Sequence, residues 1–148
     1  MSPKHRRPSA GNVQEASRWL AFARGDIETA RAFLGSAAVP NRNTGYMAQQ
    51  AAEKAIKAVI LLDNLTFEMT HDLAALQAQA PPDFSNAAST MDLAWLADIE
   101  TMARYPDEGD TVTGDDAERA VGIANAILSA AARHFVGRGV DESLITAG

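Results

Sequence analysis

Cysteine is absent from this chain of 148 residues, which removes disulfide frameworks, thiolate metal sites and cysteine nucleophiles together. Only three histidines occur, His5, His71 and His134, and they are too scattered to form a local zinc motif. No apolar stretch approaches the roughly 20 residues that a bilayer-spanning helix needs. The longest candidate, Ala55 to Leu62, is interrupted by Lys57. Basic residues are outnumbered, 13 Lys and Arg against 19 Asp and Glu, and the pI is near 4.9. That balance argues against non-specific nucleic-acid binding over the whole surface and leaves a local basic patch as the remaining route. These absences predict a cytoplasmic protein without a metal or other cofactor.

What is present is enough for one domain with a core of its own. The first eleven residues, Met1 to Gly11, are basic but have no apolar run behind them, so they lack the form of a secretory signal. They are expected to be a flexible tail over residues 1–11, with Lys4, Arg6 and Arg7 either solvated or touching a phosphate backbone.

From there the pattern is helical throughout. Asn12 followed by Glu15 has the form of a capping box, which starts a helix just before Val13. Ala16, Leu20, Ala23, Ile27, Ala30 and Leu34 then keep a four-three rhythm, and Gly35 supplies the stop. A second long helix is expected from Thr44 to Asp63, ended by Asn64, with a small-residue stripe of Ala48, Ala52, Ala55, Val59 and Leu62. Within it Glu53 stands four residues before Lys57, the favourable order for an ion pair. Thr70 is expected to cap a short helix from His71 to Leu76 that ends at Pro81-Pro82. A fourth helix runs from near Ser85 to Tyr105, because the residue before Pro106 is pushed out of helical geometry. Thr111 or Thr113 opens the last, with Ala117, Val121, Ala124, Leu128, Ala131 and Phe135 in register and Gly137 at its end. The expected fold class is all-α: an antiparallel, up-and-down four-helix bundle over residues 12–137, with the short helix as an insertion and a C-terminal tail over 138–148.

Four elements in this order carry a family likeness: the aspartate of Gly25-Asp26-Ile27, the run from Gln50 to Ala58, His71-Asp72-Leu73, and Arg104-Tyr105-Pro106. Together they resemble the HEPN family of small helical proteins, over nearly the whole chain. The resemblance implies a helical homodimer that binds a nucleotide or RNA, or that acts with a minimal nucleotidyltransferase in a toxin–antitoxin pair. Many members are metal-independent ribonucleases with an arginine followed after four to six residues by a histidine. That motif is missing here. The positions before His71 hold Asn64, Leu65 and Thr66, those before His134 hold Ile127, Leu128 and Ser129, and those after Arg104 hold Gly109, Asp110 and Thr111. Catalysis would therefore require His71 as base and Arg104 as phosphate clamp to converge through folding or across a dimer.

The candidate nucleotide-binding residues are Lys54, Lys57, His71, Asp72, Arg104 and Tyr105. Lys54 and Lys57 would hold phosphates, Arg104 would complete a bidentate clamp, Tyr105 would stack on a base, and Asp72 would orient His71. Structural readings stand beside each of these. Lys57 would pair with Glu53 and Lys54 across the bundle or a dimer interface. His71 would fix a loop, Asp72 would serve the helix start, and Tyr105 would cover the core. Gln49 and Gln50 would suit a hydrogen-bonded helix interface. The leading expectation is a nucleotide- or partner-binding module. The alternatives are a ribonuclease with an atypical Arg/His site and a non-catalytic structural bundle.

Overall fold

Five of the described helices begin where a side-chain oxygen takes up an unpaired backbone N–H, the commonest way a helix start is made stable. A computed structural model describes residues 7–68, 70–84, 86–104 and 112–146, with the side chains of 100, 102–104 and 146 excepted. The expected start at Ser85, residue Tyr105, the acidic loop after it and the first six residues of the expected basic tail lie outside the described residues. The elements are α1 (Ala10–Phe33), α2 (Asn41–Leu62), α3 (Leu73–Gln79), α4 (Thr90–Arg104), α5 (Gly114–Gly137) and α6 (Glu142–Thr146). All regular structure among the described residues is helical.

Ser9 caps α1 by accepting from the N–H of Asn12 at 3.1 Å, so the helix starts ahead of the Asn12–Glu15 pair and not at it. Glu15 instead accepts from the Trp19 indole at 3.3 Å. Ser89 and Asp92 form a reciprocal cap at the head of α4, and Thr113 and Asp116 form a capping box at the head of α5. Gly35 and Asn64 take left-handed conformations, φ 76° and 59°, just past α1 and α2, as the sequence predicts.

The stripes read from the sequence are the core. Ala16, Leu20, Ala23, Ile27 and Ala30 are the buried residues of α1, and the six positions read on α5 are all buried. The central element is α2, which packs on α1, α3, α4 and α5. Alanines at 48, 51, 52, 55 and 58 are fully buried, so neighbouring backbones approach it closely. α3 sits between α2 and α4 as a short insertion. By length and composition α5 meets the criterion for a membrane span, at a mean hydropathy of 1.2, in contrast to the expectation from apolar runs alone. Its apolar face is buried on α2 and α1, the position of a core helix.

The expected C-terminal tail is folded as far as residue 146. Gly139 turns the chain at φ 86°, Val140 and Ile145 are buried, and α6 packs on α1 and α5. Arg24 donates to the carbonyl of Ile145, and Arg7 donates to that of Gly139 at 3.4 Å. Two apolar side chains and two arginines tie this segment down, a signal too short to show as periodicity.

The crossing of α2 and α4 is set by Gly45, where a Cβ would stand 3.1 Å from Ile99 Cγ2 and 3.2 Å from its Cδ1. Gly45→Val overfills this contact and is expected to destabilise the fold by about 1–3 kcal/mol. Urea unfolding measures the loss, and hydrogen exchange will show the earliest opening in α4.

Candidate functional site

Gln49, Glu53 and Lys57 recur at every fourth position of α2 and therefore share a face. That face points inward, with Gln49 0%, Glu53 4% and Lys57 5% exposed. Buried polar groups at such spacing must satisfy one another, and they do. Lys57 Nζ donates to Glu53 Oε2 at 3.1 Å, Gln49 Nε2 donates to Oε1 at 3.4 Å, and Gln50 Nε2 donates to Gln49 Oε1 at 2.8 Å. The His71 ring reaches in from the loop before α3, its Nδ1 2.8 Å from Glu53 Oε1. Burial pushes the Glu53 carboxyl up, but the bonds from His71 and Lys57 and their charges outweigh it and hold its pKa below the usual value. An ionised carboxylate only accepts, so the His71 proton is assigned to Nδ1. Lys57 is roofed by two rings, its Nζ 5.6 Å from the centre of Trp19 and 5.1 Å from that of Phe67. Those rings meet edge to face at 6.1 Å. Such cation–π contacts add to the ion pair in a desolvated setting.

Lys54 lies one position further round α2 and pairs with Asp26 of α1 at 2.5 Å. This is the aspartate of Gly25-Asp26-Ile27, and it joins α1 to α2 by charge. Beside Lys54 an open groove of about 380 Å³ is lined by Glu15, Arg18, Trp19, Phe22 and Lys54. Phe22 is 60% exposed there.

The structure thus redistributes the sequence candidates. Lys57 and His71 meet on Glu53, which helical spacing pairs with Lys57 alone. Asp72 serves the start of α3. Its carboxylate caps α3, accepting from the N–H of Ala75 at 3.2 Å, while Thr70 Oγ1 accepts from the Asp72 N–H. His71 therefore precedes the helix and does not open it. The Arg104 backbone ends α4, and its side chain and Tyr105 lie outside the described residues. Gln49 and Gln50 satisfy the core network rather than a second helix surface.

A second ionic cluster was not legible in the sequence. Arg138, just past α5, forks onto two carboxylates. It donates to Asp63 from Nε at 3.0 Å and Nη2 at 2.7 Å, and to Asp83 from Nη1 at 2.7 Å and Nη2 at 2.8 Å. The paired guanidinium holds Asp83 down to about 2. Burial opposes the same effect on Asp63, yet that carboxyl also stays below its usual value because of its cationic and imidazole neighbours. The His134 ring stands over Phe84, edge to face at 5.6 Å, with Nε2 3.7 Å from Asp63 Oδ1. That distance is too long for a hydrogen bond. His134 and Arg138 stand four apart at the end of α5, but only tertiary packing brings Asp63 and Asp83 to them, so no spacing rule could have found the cluster.

Glu53, Asp63 and Asp83 all have folded pKa values below their unfolded ones. The unfolded chain therefore takes up more protons as pH falls, and these groups contribute stability that is present above their unfolded values and lost in acid. The melting temperature is expected to hold from pH 7 to about 5 and to fall steadily from there towards pH 2. Glu53→Gln leaves the Lys57 ammonium buried without a counter-charge and is expected to cost about 3–5 kcal/mol at neutral pH. Glu53→Leu combined with Lys57→Met should recover most of that loss. Chemical denaturation of the three proteins checks it.

A model of the HEPN domain matches residues 16–134. Among solved structures, the chain is similar to TT1696 from Thermus thermophilus, with 27% identity, a TM-score of 0.70, and coverage of 80% of this chain and 97% of that one. It is also similar to ST0689, an archaeal HEPN homologue, with 25% identity, a TM-score of 0.61, and coverage of 78% and 93%. No curated protein matches. The helical bundle centred on α2, the matched span and these two structural neighbours agree, and the chain belongs to the HEPN domain family.

Proposed function

We propose that this HEPN protein is a binding module that takes a nucleotide in the α1–α2 groove, acts beside a partner of the minimal nucleotidyltransferase kind, and does not cleave RNA. The observation that carries this reading is the pairing of its basic groups. Lys57 is sealed against Glu53 beneath two aromatic rings, and a phosphate reaching it would have to break a buried pair, at a cost of about 3–5 kcal/mol. Lys54 retains 28% exposure on its Asp26 partner and opens onto the groove with Arg18, Trp19 and Phe22. A base against the aromatic walls and phosphates towards Lys54 and Arg18 suit a groove of about 380 Å³, at the small end of ligand sites.

A nuclease reading asks for an imidazole and a guanidinium aimed at one open phosphate position. Arg138, four residues after His134, has its guanidinium committed to Asp63 and Asp83. His71 is held by the Glu53 carboxylate. A second reading, a homodimer or protein partner docked on α1, is favoured by the exposure of Phe22, since large exposed apolar side chains concentrate at interfaces.

Calorimetry of the purified protein against ATP, GTP and a short RNA tests the proposal, with RNA integrity followed on a gel. Saturable nucleotide binding is expected, weakened about tenfold by Lys54→Ala as one charge-assisted contact is lost, and the RNA should stay intact. Cleavage abolished by His71→Ala would replace this reading with the nuclease one. Absent nucleotide binding, together with a dimer in light scattering that Phe22→Glu dissociates, would move the groove to protein recognition.

A further inference from the structure

The cluster at the C-terminal ends of α2 and α5 carries one negative charge more than its arginine balances. Asp63 and Asp83 bring two carboxylates and Arg138 one guanidinium, a net charge of minus one within the bonded set. The cluster also holds an orphan. The His134 side chain is 6% exposed, and its Nε2 has no hydrogen-bond partner among the described residues, although it stands 3.7 Å from Asp63 Oδ1. A buried ring nitrogen without a partner is a costly arrangement, and this one is aimed into the anionic cluster. One donor atom each from Asp63, Asp83 and His134 lie within 4.8 Å of one another. Two clefts reach the cluster, one of about 340 Å³ beside Asp83, Phe84 and His134, the other of about 580 Å³ beside Asp63 and Pro82. Either gives an ion a way in.

We infer that Asp63, Asp83 and His134 form a divalent transition-metal site, of the zinc class, whose place Arg138 holds as a displaceable cation. One imidazole and two carboxylates make a donor set that zinc accepts, and three protein ligands leave its fourth position for water. A divalent ion in place of the guanidinium brings the cluster from minus one to neutral and gives the orphan Nε2 a partner. The donors must close from within 4.8 Å to roughly 3.4 Å, the spacing set by tetrahedral bonds of about 2.0–2.1 Å. Asp83 sits in the loop between α3 and α4, outside any helix that would fix its backbone. Arg138 lies just past α5, between Gly137 and Gly139, and entry of the ion requires its guanidinium to leave the two carboxylates.

The test is titration of the full chain with zinc chloride by calorimetry, and with cobalt chloride by its visible absorption bands. Saturable binding of one ion per chain is expected, weakened at least about tenfold by His134→Leu and by Asp83→Asn. Arg138→Gln removes the competing cation and should tighten binding, while circular dichroism reports whether its helices are intact. If that variant does not fold, the wild-type and His134→Leu titrations decide alone. No saturable binding by the wild type, or binding that survives His134→Leu and so belongs to His5 or His71, overturns the inference. In that event the cluster is a structural clasp only.

Discussion

α2 packs on four other helices, and the polar side chains it buries must find their partners within the protein. An alanine-rich helix permits this closeness, since small side chains let neighbouring backbones approach without voids. The same closeness desolvates Glu53 and Lys57, so their attraction is stronger than on a surface and losing either partner is far more damaging. Gln49, the roof of Trp19 and Phe67, and the inward reach of His71 are consequences of that one buried carboxylate. The loop before α3 is positioned because Glu53 needs a donor from that direction. Charge inside the bundle thus fixes the register of elements that alanines alone would leave free to slide.

Much of this fold was legible in the sequence, and for identifiable reasons. The four-three rhythm of Ala16 to Ala30 and of Ala117 to Phe135 survives in the structure because it encodes the geometry of a buried helix face. Gly35 and Asn64 mark helix ends because few other residues take a positive φ at low cost. Helix starts were harder to place. Several Ser, Thr, Asn and Asp residues precede each helix, and only tertiary position decides whether Ser9 or Asn12, Asp72 or Thr70, becomes the cap.

The candidate site was legible only where its residues share a helix. Glu53 and Lys57 are four apart, and their pairing follows from that spacing. Whether the pair faces water or core depends on how many helices surround α2, which the pattern of one helix does not state. Lys54–Asp26 and the Arg138 fork join residues 28 to 75 positions apart, and only packing brings them together. A HEPN bundle that lacks the arginine–histidine nuclease motif keeps the scaffold on which that chemistry is built elsewhere in the family. Among the described residues, Lys54 with Asp26 and Arg138 with Asp63 and Asp83 are ion pairs that join separate elements.

The contact of Arg7 with the Gly139 carbonyl brings the beginning of the described chain against its final stretch. The segment ahead of α1 is thereby tied to the turn that follows α5. Loosening of that turn would therefore be felt at the start of α1, the helix that supplies the Trp19 ring over Lys57.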